Sequence, residues 1–227
     1  MLLKILLKLS KKASRKNLNN YIELSINKEL KKNKDTKVLN ISAGGELEKL
    51  IKKNFQNVFS IDIDEKKMPN QILDICDEGF LEKIKFEPSL VCCFEVLEHT
   101  KNPQKAIQNL YKILNKGDYC LASVPFNFHI HDEPYDFFRF TSYGLKMLFS
   151  DFSNVKIKRR NGWLESIFVN IIRLEKEKNI LAKITGKIFI LLYFILLPLI
   201  LVLQKIIPSE NLTTGYYIEA KNNKIFL

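Results

Sequence analysis

Two stretches concentrate ionisable side chains directly behind apolar runs: VCCFEVLEH at Val91–His99 and FNFHIHDEPYDFFRFT at Phe126–Thr141. The first supplies Glu95, Glu98 and His99. The second supplies His129, His131, Asp136 and Arg139. The chain has three histidines in all, and His99 and His131 each follow a different apolar run. An imidazole that a carboxylate orients can take a proton from an attacking group. His131, five residues before Asp136, suits that role. His99, at a helix start, is kept neutral by the helix dipole. His131, His99 and Asp136 are therefore the candidate catalytic residues. Arg139 has the planar fork that binds a carboxylate or phosphate on an acceptor, with Tyr135 and Phe128 as aromatic walls. Two structural roles compete: His99 as a helix cap, and Asp136 with Arg139 as a pair bracing the loop.

These groups need a scaffold that brings the ends of apolar runs together. Strands are predicted at Lys37–Ile41, Asn57–Ile63, Gln71–Ile75, Leu90–Phe94, Tyr119–Val124, Val155–Arg159 and Tyr216–Lys221. Helices are predicted at Met1–Lys12, Leu18–Lys32, Glu46–Asn54, Pro103–Leu114, Thr141–Phe149 and Leu164–Ile172. In the second of these, Tyr21, Ile22, Leu24, Ile26 and Leu30 are the inward residues. Alternating strands and helices imply a mostly parallel α/β sheet covered on both faces, and ligands then bind outside the carboxyl ends of the strands. Asp62, Asp74 and Glu95 all fall at such ends.

Charge is unevenly spread along the chain. Residues 1–40 carry 11 basic and 3 acidic side chains, residues 41–150 carry 13 and 16, and residues 151–227 carry 12 and 6. The acidic middle argues against a nucleic-acid partner. The basic flanks coincide with the apolar extremes, which fits an anionic lipid surface. In MLLKILLKLSKK, Lys4, Lys8, Lys11 and Lys12 oppose Leu2, Ile5, Leu6 and Leu9, as in an interfacial helix or one packed on the domain. It does not read as a signal peptide, because lysines interrupt the apolar run. Ile188–Leu203 is an unbroken apolar run of 16 residues containing Pro198, short for a bilayer crossing. If the strands on either side share one sheet, the segment must dip in and return, which implies monotopic or peripheral attachment from the cytoplasmic side. A single transmembrane helix near residues 188–206 is the alternative. The four cysteines, Cys76, Cys92, Cys93 and Cys120, have no CxxC or zinc-type spacing. They read as reduced core residues, and no metal is expected.

The remaining site is the loop Asn40-Ile41-Ser42-Ala43-Gly44-Gly45 between the first strand and the next helix. It is not GxGxxG, so a dinucleotide reading is poor. Asp62 suits the two hydroxyls of a ribose, and Asp74 with Ile75 suits a base.

Together, Asn40–Gly45, Asp62, Asp74, FEVLEHT at 94–100 and YKILNKGDYCLASVPF at 111–126 resemble a class I S-adenosylmethionine-dependent methyltransferase, nearest the type 11 family. HIHDEPYDFFRFT resembles the loop of a subset of bacterial members. The resemblance covers most of residues 36–163. It implies a Rossmann-like seven-stranded sheet with an antiparallel last strand. It also implies S-adenosylmethionine held by Asn40, Ser42, Ala43, Gly44, Asp62, Ile63, Asp74, Ile75 and Glu95, and a small-molecule, lipid-linked or glycan acceptor. Asn40 and Ser42 depart from the acidic residue and glycine usual in the first motif. A catalytically degenerate membrane interaction protein is the rival to an O-methyltransferase. The resulting division is residues 1–35 as basic amphipathic helices, 36–163 as the methyltransferase core, 164–211 as an apolar insertion and 212–227 as a returning strand.

Overall fold

The computed structural model describes residues 2–32 and 35–223, apart from the side chains of residues 2–4, 6–7, 10–14 and 29–32. Seven strands form one sheet: β1 (Lys37–Ile41), β2 (Asn57–Asp62), β3 (Gln71–Ile72), β4 (Leu90–Phe94), β5 (Tyr119–Pro125), β6 (Ser153–Arg159) and β7 (Gly215–Lys221). Their order is β3-β2-β1-β4-β5-β7-β6. β7 runs antiparallel to both neighbours, and the other pairings are parallel. The chain order reverses between β1 and β4, which opens a crevice at their carboxyl ends. The helices are α1 (Leu2–Lys32), α2 (Gly45–Asn54), α3 (Phe80–Lys83), α4 (Pro103–Ile113), α5 (Ser142–Leu148), α6 (Trp163–Arg173) and α7 (Ile180–Ile206).

β4 is buried along its whole length, as a central strand covered on both faces must be. Alternation sends Cys93 to one face, packed with Ile107 and Leu110 of α4, and Cys92 to the other, with Leu18, Ile22 and Ile26 of α1. None of the four cysteines is in a disulfide among the described residues. Asn102 caps α4 by accepting from the Lys105 N–H at 3.0 Å, and Pro103 opens the helix. Thr141 caps α5 through the Gly144 N–H.

Four expectations change. The two N-terminal helices are one, α1, because no Gly or Pro interrupts residues 2–32. Leu24 points to solvent at 71% exposure, while Leu18 is the buried residue a turn earlier. The faces assigned to Lys4, Lys11, Lys12, Leu2 and Leu6, and the burial of Leu30, lie outside the described residues. The apolar run is embedded in the 27-residue α7, about 40 Å long at ~1.5 Å per residue. β3 is cut to two residues.

α7 packs against α6 and α1, burying Gly186, Ile190, Tyr193 and Ile200. Glu165 of α6 joins the three helices, accepting from Tyr193 Oη at 2.9 Å and Asn17 Nδ2 at 3.2 Å. Gly186 touches the backbone of the turn Leu174–Lys176: a Cβ there would lie 2.2 Å from the Glu175 nitrogen. Gly to Ala inside a helix normally gains about 1 kcal/mol. Here the overlap reverses the sign, and Gly186→Ala should destabilise by ~1–3 kcal/mol, read as a lowered Tm by circular dichroism. An unchanged or higher Tm would refute the close packing.

Candidate active site

The loop after β1 is held by the chain's own carboxylates. Asp62, at the end of β2, accepts from the Ala43 N–H at 2.9 Å through Oδ2 and from the Asp64 N–H at 2.9 Å through Oδ1. Glu48 of α2 accepts from the Gly44 N–H at 2.6 Å and from the Ser60 hydroxyl. Asn40 is buried and donates to the Ser42 carbonyl at 2.7 Å. Ser42 sits at φ 85°, a left-handed conformation that costs a non-glycine residue about 1 kcal/mol.

Two cavities flank this loop. One, of about 710 Å³, is lined by Asp62, Ile63, Asp74, Ile75, Tyr135 and Phe137 among others. Ile63 is 72% exposed, an apolar face open to a flat ring. The other, of about 410 Å³, lies between the loop and Phe128, His129, His131, Arg160, Arg173 and Lys176. Ser42, Glu95 and His99 line both, so the ends of β1 and β4 form the boundary.

These residues fit S-adenosylmethionine. Asp62 and Ile63 can take the ribose and one face of the adenine, and Asp74 keeps Oδ2 after its Oδ1 accepts from the Cys76 N–H at 2.8 Å. Lys67 stands in the way: its Nζ lies 3.1 Å from Asp62 Oδ2. It is a half-exposed lysine, and such a pair contributes little.

Glu95 ends β4 at φ 55°. The Ser123 hydroxyl donates to it at 2.7 Å, and the buried Arg160 guanidinium donates to the same oxygen. Burial alone would raise the Glu95 carboxyl, but Arg160 outweighs it and the net shift is downward. Glu98, one turn on, is fully buried, and neither carboxylate oxygen has a hydrogen-bond partner among the described residues. Burial first, then Glu95, push it well above the usual range.

The loop after β5 folds back over Glu98, whose carbonyl accepts from the N–H groups of Phe137 and Phe138 at 2.8 and 3.2 Å. Asp136 accepts from the His131 N–H at 2.9 Å and lies 3.3 Å from His131 Nδ1. Its pKa is about 2: burial opposes this shift, but Arg139 outweighs it. Burial also lowers the His131 pKa, so its imidazole is neutral at pH 7.

Arg139 departs from its expected acceptor role. Its donors reach Asp136 twice (2.5 and 2.6 Å) and the carbonyls of Phe128, His129 and Phe138. A guanidinium has five N–H donors, so none remains for an acceptor. The brace reading describes it. Besides Lys67, the cations that line the smaller cavity are Arg15, Arg160, Arg173 and Lys176, which were not singled out from the sequence. Only Arg160 carried a signal, as a residue just past a strand end. Burial, then Arg15, lower the Arg173 pKa to about 10. His129, set beside Arg173 and Lys176, is lowered to about 4, chiefly by burial.

This sheet order, with a crevice whose strand ends carry Asp62, Asp74 and Glu95, is the class I S-adenosylmethionine-dependent methyltransferase fold. The family model described as "Methyltransferase domain" matches residues 11–163, well over half of the chain, and the chain belongs to that family. S-adenosylmethionine is the cofactor of the class. No curated protein matches the chain. Among solved structures, a SAM dependent methyltransferase from Archaeoglobus fulgidus superposes with TM-score 0.57 at 16% identity, over 89% of this chain and 94% of that one. The N-methyltransferase NodS from Bradyrhizobium japonicum, in complex with S-adenosyl-L-homocysteine, gives 0.55 at 10% identity, over 92% and 87%. The [4+2]-cyclase SpnF gives 0.56 at 9%, over 90% and 81%. At these identities the likeness is one of fold.

If Asp62 takes the ribose, Asp62→Ala should weaken S-adenosylmethionine binding at least ~10-fold, about 1.4 kcal/mol. Lys67→Ala, which frees the carboxylate, should leave binding equal or tighter. Calorimetry reads both, and weaker binding by the Lys67 variant would refute the competition.

Proposed function

We propose that the chain methylates a hydroxyl oxygen of an acceptor that carries an anionic group and is presented at a membrane surface. The observation that carries this reading is His131, a neutral imidazole whose Nδ1 lies 3.3 Å from Asp136 Oδ2 and whose ring lies beside the boundary of the two cavities. Bound S-adenosylmethionine supplies a methyl group on a cationic sulfur, open to in-line attack. An attacking hydroxyl must lose its proton, and a positioned neutral imidazole contributes ~10²–10⁴-fold to such steps. Arg15, Arg173 and Lys176 offer an uncommon density of partly desolvated positive charge, which suits a phosphate or carboxylate on the acceptor. Glu95, held by Arg160, remains a carboxylate beside the donor.

The membrane part rests on α7. Ile188, Leu191, Ile195, Leu199 and Val202 are all more than half exposed, and Lys183, Lys187 and Lys205 flank them. β6 and β7, on either side of the α6–α7 excursion, are paired in one sheet. A single crossing would separate them across the bilayer. α6, at 11 residues, reaches only about 16 Å, too short to return across the ~30 Å core. An apolar platform lying in the interface satisfies both facts.

One pair of observations favours a second reading, a fold that has lost catalysis: Ser42 at positive φ, and the Gly44 N–H already taken by Glu48. Absence of S-adenosylmethionine binding at millimolar concentration would select it.

Two experiments test the main reading. His131→Ala should cut turnover at least ~100-fold on hydroxyl acceptors bearing a phosphate or carboxylate. Because burial lowers the His131 pKa, the base form persists below pH 6.5. The acid limb of kcat/KM should therefore fall below 6.5, with activity lost as pH drops through it. Near-normal turnover by the variant, or an acid limb above 6.5, would remove His131 from this role. For the membrane, the protein should co-sediment with vesicles containing anionic lipid, and Leu191→Glu/Ile195→Glu should abolish this. Full recovery of the unaltered chain in the supernatant would sink the attachment.

A further inference from the structure

The carboxyl end of β4 and the loop after β5 bring three lone-pair donors together. Glu98 Oε1 lies 3.8 Å from His99 Nε2 and 3.9 Å from His131 Nε2. The ligand atoms of all three residues lie within 4.8 Å of one another. Both imidazoles are committed at their other nitrogen. His99 Nδ1 lies 2.9 Å from the Tyr135 carbonyl. His131 Nδ1 lies 3.3 Å from both the His129 carbonyl and Asp136 Oδ2. Those partners can only accept, so each Nδ1 carries a proton, and in a neutral imidazole the lone pair is then on Nε2. The two ring nitrogens thus face a fully buried carboxyl group with no hydrogen-bond partner among the described residues, and a bound cation would hold it as a carboxylate. Their separations exceed any hydrogen bond. The two distances from Glu98 fall inside the ~4.2 Å that two metal bonds of ~2.1 Å can span, and a contraction of about half an ångström would bring those two to tetrahedral spacing.

We infer that Glu98, His99 and His131 bind one divalent first-row transition-metal ion at the boundary of the two cavities. Two imidazoles and a carboxylate suit Zn²⁺, Mn²⁺, Fe²⁺ or Co²⁺ better than Mg²⁺ or Ca²⁺. The supporting partners are those such a site requires: a carbonyl on one imidazole, and a carboxylate, itself clamped by Arg139, on the other. His99 and His131 line the smaller cavity, so the ion's remaining positions open toward it. The ion resolves the orphaned Glu98 carboxylate. Resting on the methyltransferase reading above, it also names the aid given to the acceptor: a hydroxyl oxygen bound to the ion sheds its proton near neutral pH. In the loaded protein His131 Nε2 is a ligand and no longer the base: the hydroxyl's proton passes to water in the cavity, and the base role of His131 belongs to the ion-free chain.

The test is a titration of tag-free, EDTA-dialysed full chain with Co²⁺, followed by its visible d–d absorption, and with Zn²⁺ by calorimetry. One ion per chain is expected. Glu98→Gln should weaken binding at least ~100-fold, beyond the ~10–100-fold that a merely supporting residue carries, and His131→Asn should do likewise. Thermal unfolding of Glu98→Gln in EDTA should occur no lower than that of the parent, because glutamine keeps the shape of a buried carboxyl group that has no hydrogen bond to lose among the described residues. Loss of binding then cannot be put down to misfolding. No stoichiometric binding by the parent, or equal binding by Glu98→Gln, would overturn the site. S-adenosylmethionine binding is measured in EDTA alongside: donor binding without ion binding overturns the metal site alone, and ion binding without donor binding overturns the methyltransferase reading and the role given to the ion.

Discussion

Two carboxylates three residues apart at the end of β4 constrain the rest of the site. Glu95 and Glu98 are both drawn into the protein, yet the chain compensates them unequally. Glu95 has a hydroxyl from β5 and a buried guanidinium from the residue after β6. Glu98 has, among the described residues, only imidazoles beyond hydrogen-bond reach. Breaking a buried ion pair costs several kcal/mol, so the Glu95–Arg160 contact fixes the carboxyl ends of β4 and β6 relative to each other across two intervening strands. The left-handed backbone of Glu95 aims the next turn inward, which sets Glu98 beneath the loop after β5. That loop is then pinned from outside by the five-donor Arg139 brace. Positioning therefore runs from sheet to pair to turn to loop.

The same logic explains why the helices of the basic flanks belong to the site. Arg15 comes from α1, and Arg173 and Lys176 from α6 and the turn after it. Glu165 ties these helices together through Tyr193 and Asn17, and Tyr21 stacks on Tyr217 at 4.1 Å, joining α1 to the sheet. The helices that carry the positive charge of the sequence are thus packed structure that forms one wall of a cavity, with α7 on their far side.

The legible parts of the site were those governed by local rules. Asp62, Asp74 and Glu95 follow strands whose apolar runs announce them, and the strand-end rule needs nothing from elsewhere in the chain. The seven-stranded sheet followed from the alternation of periods and from the family resemblance. What stayed hidden depends on long-range pairing. Arg160 is 65 residues from Glu95, and Arg15 reaches the cavity only because α1 runs unbroken from residue 2. The role of Arg139 turns on a donor count that no spacing reveals. The carboxylate–imidazole cluster escaped for a similar reason: its members are split between adjacent positions and a loop one strand later, unlike the short repeats that announce zinc sites.

On the proposed reading, the geometry also says why an apolar platform and a polar site would share one chain. Arg173 closes α6, Lys176 follows it, and α7 packs against both. An acceptor with a lipid tail and an anionic head could keep its tail on the exposed face of α7 while its head meets these cations. Holding the tail in the interface replaces a three-dimensional search by one along a surface, and the cations limit how deep the head can go. The hydroxyl to be methylated would then lie on the far side of that anionic group, toward His131 and Glu95. This orders the acceptor as tail, anion and hydroxyl, a constraint that neither the fold nor the family imposes and that follows from where α6 places its charges.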